Sequence, residues 1–199
     1  IAAMLVTWRS LLCRRPVIVL LSTSTLLSLA NELPLIVYGA WLEATFGLSL
    51  SALGLASIVV GVAETSAELG TVALTDRWGK RRSVTLGLLG LAATSLLLPW
   101  LSGLGLAAAL AGVALMVLTF EFAIVSILPL ATEIAPEARA SLLALNLTAF
   151  SLGRIIGAVV GGWLWTWQAP HITLHAVLGA GCALTGALLI GVGMREPSP

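Results

Sequence analysis

The sequence predicts an all-α polytopic membrane protein with six membrane-crossing helices, and three observations carry that fold class. The 199 residues are 59% hydrophobic and only 10% charged, with a mean hydropathy of +1.07, whereas a soluble domain has roughly 45–50% apolar and about 25% charged residues. Six long apolar runs follow one another, each close to the roughly 20 residues a helix needs to cross a bilayer. Nine of the ten cationic residues fall in the arm, the tail and every second loop.

These properties exclude several classes. A soluble enzyme or a disordered tail needs more polar surface than this chain supplies. The net charge of +1 gives no global attraction to nucleic acid. Cys13 and Cys182 stand far apart in apolar surroundings and form neither a metal spacing nor a disulfide framework. No cofactor is expected.

The predicted spans are about 17–41, 49–74, 83–101, 104–130, 141–167 and 172–194, after an arm of residues 1–16 and before a tail of residues 195–199. Segments in lipid must satisfy their own backbone groups, which selects helices; a barrel would show alternation every second residue, and none is present. The breaks carry turn chemistry: Phe46-Gly47, Thr75–Arg82, Pro99 through Gly105, Glu133–Arg139 and Gln168–His171. The first run is too long for a cleavable signal and lacks a small-residue cleavage site. The chain begins with Ile1 and reads as a piece without its natural start.

With six spans, Arg9, Arg14, Arg15, Arg77, Lys80, Arg81, Arg82, Arg139 and Arg195 share one side and the other side has no Lys or Arg. That asymmetry puts both termini in the cytoplasm. Trp41, Trp100, Trp163, Trp165 and Trp167 fall at the opposite helix ends, where amphipathic rings favour the headgroup layer. A basic complement of nine arginines and one lysine, with abundant Ala, Leu and Gly, suggests a GC-rich bacterial gene and an inner-membrane location.

Ionisable groups in hydrocarbon are costly and are expected to face protein or water. Glu32, Glu64, Glu121 and Arg154 lie in the first, second, fourth and fifth spans, whereas the third and sixth have no interior charge. Spans one, two, four and five should therefore surround a polar path, with three and six as lipid-facing scaffold. At about 1.5 Å per residue, Glu32 and Arg154 lie roughly 20 Å from the basic end, and Glu64 and Glu121 roughly 15 Å. The short fourth–fifth loop suggests Glu121 as the partner of Arg154, and an acid left unpaired becomes a candidate proton carrier.

Ser22, Thr25, Ser28 and Glu32 recur on one side of the first helix and suggest a cavity-lining face. Pro34 should interrupt that helix and free the carbonyl of Ala30 beside Asn31 and Glu32. Tyr38 and Asn146 complete the expected solute and proton pathway of Asn31, Glu32, Tyr38, Glu64, Glu121, Asn146 and Arg154. Ser57, Glu64, Glu68 and Thr71 share a face of the second helix; Glu68 lies near enough to the basic end to pair with a loop arginine. Gly153, Gly157 and Gly161 form a small-xxx-small stripe for close helix packing.

The loop Asp76-Arg77-Trp78-Gly79-Lys80-Arg81-Arg82 resembles the signature loop of the major facilitator superfamily, with Val72 where that signature begins with Gly. Glu133-Ile134-Ala135-Pro136-Glu137-Ala138-Arg139 resembles the family's E-x-x-P-x-x-x-R pattern, here with Pro136 and Arg139 three apart. The run Gly153–Gly162 resembles its antiporter motif, with Ala158 in place of Pro. The resemblance covers nearly the whole chain. It implies a secondary transporter of a small solute working by alternating access, of which this chain is one six-helix half, the C-terminal one. It also implies a missing N-terminal half as partner, besides the lipid bilayer, the solute and a possible role for protons, and no nucleic acid. Glu68, Asp76, Arg77, Gly79, Lys80, Arg81, Glu133 and Arg139 would form a cytoplasmic latch. Asp76 and Arg77 would pair across helices, and Glu68, Glu133 and Arg139 are their candidate partners.

Three other classes fit less well. An intramembrane protease needs a Ser nucleophile and a His at matching depth, and His171 and His175 both lie near the outer end of the sixth span. A permease subunit of an ATP-driven transporter would lack its phosphate loop here. A non-transporting scaffold or a dimerising six-helix protein stays open at the level of sequence.

Overall fold

The computed structural model describes residues 8–194, without the side chains of residues 72–74 and 76. Arg195 and the outer parts of the arm and tail lie outside the described residues. The helices are α1 (Arg15–Leu35), α2 (Tyr38–Phe46), α3 (Leu50–Trp78), α4 (Lys80–Ser102), α5 (Leu106–Ile134), α6 (Arg139–Gln168) and α7 (Thr173–Gly193), with a 3-10 turn at Pro136–Ala138. Six of the resulting rods are long and apolar enough to cross a membrane, α1 and α2 counting together as the first.

Helix α1 is the centre of the bundle. It packs chiefly on α6 and α7; α4 joins α5 to α7, and α3 leans on α5. Its apolar positions Val17, Leu20, Leu27, Ala30 and Leu33 are all buried. Lipid and protein interior are equally apolar, so close packing rather than water exclusion holds such rods together.

Glycine provides that packing along the α1–α6 seam. A Cβ on Gly153 would stand 2.2 Å from the Thr25 carbonyl oxygen, one on Gly157 would stand 2.6 Å from the Glu32 Cβ, and one on Gly161 would stand 2.7 Å from the Ile36 side chain. The four-residue spacing of the stripe keeps these glycines on one face, and α1 lies in the trough they leave. The Ser22/Thr25/Ser28/Glu32 side of α1 is therefore a packing seam at Thr25 and Ser28, not the open cavity wall expected from its polarity. Thr25 donates to the carbonyls of Leu21 and Ala149, both at 3.0 Å.

Pro34 also acts differently from expectation. Helix α1 continues through it to Leu35 and breaks only at Ile36-Val37. The carbonyl that Pro34 cannot satisfy, Ala30 O, is approached by Gly179 of α7, where a Cβ would lie at 2.7 Å. The freed carbonyl thus faces a helix contact rather than a binding element. Trp41, expected in the headgroup belt, is 1% exposed and packs edge-on against Phe46, because it lies with Leu42 on the one buried face of α2. Trp100, Trp163 and Trp167 remain exposed.

The α1–α6 seam predicts a position-specific intolerance of added volume. Gly153→Ala should lower the unfolding free energy by about 1–3 kcal/mol, the usual cost of overpacking. Gly162→Ala, on the same helix with no atom within 4 Å of its added Cβ, should be neutral. Thermal or denaturant unfolding of both variants in detergent makes the comparison, and equal behaviour would contradict the seam.

Candidate functional site

The site lies where α1 and α6 meet, midway along the first and fifth membrane spans. Glu32 sits one turn before the end of α1, with its side chain 10% exposed, and Arg154 on α6 reaches it from a side chain that is 59% exposed. Arg154 Nε donates to Glu32 Oε2 at 3.2 Å. Gly157 presses on the Glu32 Cβ, so the glycine that seats the helices also fixes the carboxylate. The expected Arg154–Glu121 pair does not form: α6 follows α5 in sequence, yet its main neighbour is α1.

Polar groups continue along the same seam. Ser24 donates to Asn146 Oδ1 at 2.6 Å, and both residues are buried. Asn31 is buried with no partner for its Oδ1. Toward the far end, His175 Nε2 donates to the Gly161 carbonyl at 2.9 Å, and its ring lies edge-on to Trp165. Sequence reasoning missed Ser24 and this role of His175. Asn146 was a usable signal, because a buried amide in an apolar helix needs a partner; nothing in the sequence says that Ser24 supplies it.

The remaining pathway candidates lie elsewhere. Tyr38 bonds Ser57 at 2.6 Å; since Ser57 spends its proton on the Leu53 carbonyl, the phenol is the donor. Glu64 and Glu121 are part-buried and Glu68 is exposed. Glu64 and Glu68 of α3 and Glu121 of α5 stand on two helices that pack together. Glu68 makes no ion pair with an arginine among the described residues, against expectation. Thr71 bonds its own helix, to the Ala67 carbonyl.

At the basic end, Lys80 pairs with Glu133 and Arg14 pairs with Glu137 at 2.5 Å. Glu133 therefore takes its partner from the start of α4, not from Arg77. Arg77 and Arg139 are exposed and make no ion pair among the described residues. The Asp76 side chain lies outside the described set. Gly79 has φ +87°, a conformation that side-chain-bearing residues rarely adopt, and it turns α3 into α4. Arg81 points away from this group and donates to the Gly191 carbonyl at the end of α7.

Six apolar rods, an interior ion pair on a glycine seam and a cross-linked basic end define a polytopic membrane protein. The family model of the Major Facilitator Superfamily matches residues 20–199, and the chain belongs to that family of membrane transporters. No curated protein and no solved structure matches the chain.

Opposite charges held at one seam predict coupled energetics. Arg154→Met leaves the Glu32 carboxylate buried without its cation, and Glu32→Gln leaves the cation without its carboxylate. Each should destabilise by on the order of 1–3 kcal/mol, while Glu32→Gln combined with Arg154→Met should cost less than the sum. A double-mutant cycle in denaturant measures the coupling; additive losses would show that the pair contributes nothing.

Proposed function

We propose that the chain is the C-terminal six-helix half of a secondary active transporter that moves a small polar or charged solute by alternating access. The Glu32–Arg154 pair is the observation that carries this reading. An ion pair in the middle of two apolar helices is costly as mere scaffolding, since hydrophobic residues of similar volume often hold helices as well. Arg154 also leaves more than half of its side chain uncovered. Helices α3 and α6 are the least covered of the six rods and still carry Glu64, Glu68 and Arg154. In a bilayer these charges need protein or water rather than lipid. A second six-helix half facing α3 and α6 supplies both, with the solute path between the halves.

In this reading Arg154 meets an anionic group of the solute or exchanges its hold on Glu32 for it, and Asn31, Asn146 and Tyr38 add polar contacts. Glu64 and Glu121, which make no ion pair among the described residues, are the proton-coupling candidates. Lys80–Glu133 and Arg14–Glu137 tie the cytoplasmic ends of α4, α5 and α6 to one another and to the N-terminal arm, so they hold one conformation until the halves rock; Glu68, Asp76, Arg77 and Arg139 belong to the same latch. The protein works without catalysing a reaction, in a bacterial inner membrane with both termini in the cytoplasm; Ala158, where the antiporter motif has Pro, removes that run on α6 as an argument for efflux.

The test is solute-driven proton movement in proteoliposomes containing the full-length gene product and an enclosed pH dye, screened against a panel of sugars, organic acids and organic cations. A solute that changes internal pH should do so in the parent protein. The response should be lost in Arg154→Gln and reduced at least tenfold in Glu32→Gln. In Glu64→Gln and Glu121→Gln, solute counterflow should survive while its dependence on the proton gradient disappears. Wild-type flux in the Arg154 and Glu32 variants would remove the pathway assignment.

A further inference from the structure

The residues lining the cleft between α4 and α7 have no place in the transport site. It opens at the basic end, has a volume of about 430 Å3, and is lined by Arg81, Arg82, Thr85 and Leu86 of α4 and by Gly191 of α7. None of these residues is acidic. Arg81 spends one N–H on the Gly191 carbonyl, which closes the C-terminal end of α7 and leaves four further N–H donors in its guanidinium. Arg82 is exposed and makes no ion pair among the described residues. Thr85 is already bonded to the Arg81 carbonyl at 3.0 Å, so the cations rather than the hydroxyl define the binding chemistry.

Below the arginines the surroundings become apolar. Arg82, Leu86 and Leu89 recur at spacings of four and three on one face of α4. Leu86 and Leu89 are exposed, and on α7 Leu188 is 67% and Val192 78% exposed. The cleft thus presents two guanidiniums at a helix end with Leu86 beneath them, and the exposed Leu89 and Leu188 lie farther along α4 and α7. A soluble anion would use only the first feature, whereas a phospholipid uses both, with its phosphate at the arginines and its acyl chains along the leucines.

We propose that this α4–α7 cleft binds the phosphodiester headgroup of an anionic phospholipid. Planar guanidiniums match phosphate oxygens in bidentate geometry. The lipid would join α4 to α7 beside the Arg81–Gly191 bond, so its binding should also stabilise the bundle against unfolding.

Native mass spectrometry of the full chain, released from micelles containing equal amounts of phosphatidylglycerol and phosphatidylcholine, tests the site. The wild-type chain should retain phosphatidylglycerol preferentially. Arg82→Ala should lower that retention by about fivefold, the effect of one cation near a membrane surface, and Arg82→Glu should abolish the preference. Arg15→Ala removes an equal charge at the same end from a residue that does not line the cleft and should leave the preference intact. Circular dichroism confirms that each variant is folded, and Arg82→Lys, which keeps the charge, serves if Arg82→Glu does not fold. Unchanged retention in Arg82→Ala overturns the proposal. So does an equal loss in Arg15→Ala, which would mean diffuse attraction, or displacement of the lipid by millimolar inorganic phosphate, which would mean a soluble-anion site.

Discussion

The close approach of α1 and α6 is the constraint on which the rest depends. Three glycines in register remove the side chains that would hold the two helices apart, and one of them, Gly157, packs directly on the Cβ of Glu32. At that distance a carboxylate on α1 and a guanidinium on α6 meet, with Arg154 Nε 3.2 Å from Glu32 Oε2. Farther apart, the two charges would each need water or another partner in a hydrocarbon environment, which is expensive. Packing geometry here comes before electrostatics: the glycine seam creates the place, and the ion pair occupies it.

The seam also explains how the bundle combines stiffness with a polar middle. Ser24–Asn146 and Thr25–Ala149 tie α1 to α6 on one side of the pair, and His175–Gly161 ties α7 to α6 on the other. Gly179 closes α7 onto the carbonyl that Pro34 leaves free. Helices α1, α6 and α7 thus form one unit with backbone contacts too tight to slide. Helix α3 is different: it leans on α5 through Thr75–Ser126 and the Trp78–Phe122 contact, both toward its basic end. A rigid unit beside a loosely held helix is a sensible division for a protein whose halves must rock as bodies.

Much of this was legible in the sequence, and what was not has a physical reason. Hydropathy located the rods, because a bilayer-crossing helix must be apolar over a fixed length. Counting residues from the basic end already put Glu32 and Arg154 at one depth, and the four-residue spacing of Gly153, Gly157 and Gly161 marked a packing face. The neighbour of that face was not readable. Periodicity gives the side of a helix, never the helix opposite, and the guess of Glu121 rested on chain order, whereas α6 packs chiefly on α1. Trp41 was misplaced for a related reason. Lipid and core are both apolar, so a Trp near a helix end carries no sign of which of the two it faces. Arg81 shows the same limit at the charged end: its place in a basic run says that it lies at the surface, but only the fold shows it closing the end of α7.

The central claim, that the Glu32–Arg154 seam opens onto water and not onto acyl chains, is tested most directly by cysteine accessibility in the bilayer. With Cys13 and Cys182 replaced by serine, single cysteines at Ser151 and Ala158, which flank Arg154 on its face of α6, should react with a small charged thiol reagent. Cysteines at Leu89 of α4 and Leu188 of α7, on the outer surface of the bundle, should not. Reactivity confined to the first two positions is the result expected of a solvent path at the seam. Silent cysteines at Ser151 and Ala158, in protein that is labelled normally once denatured, would place Arg154 against lipid and contradict it.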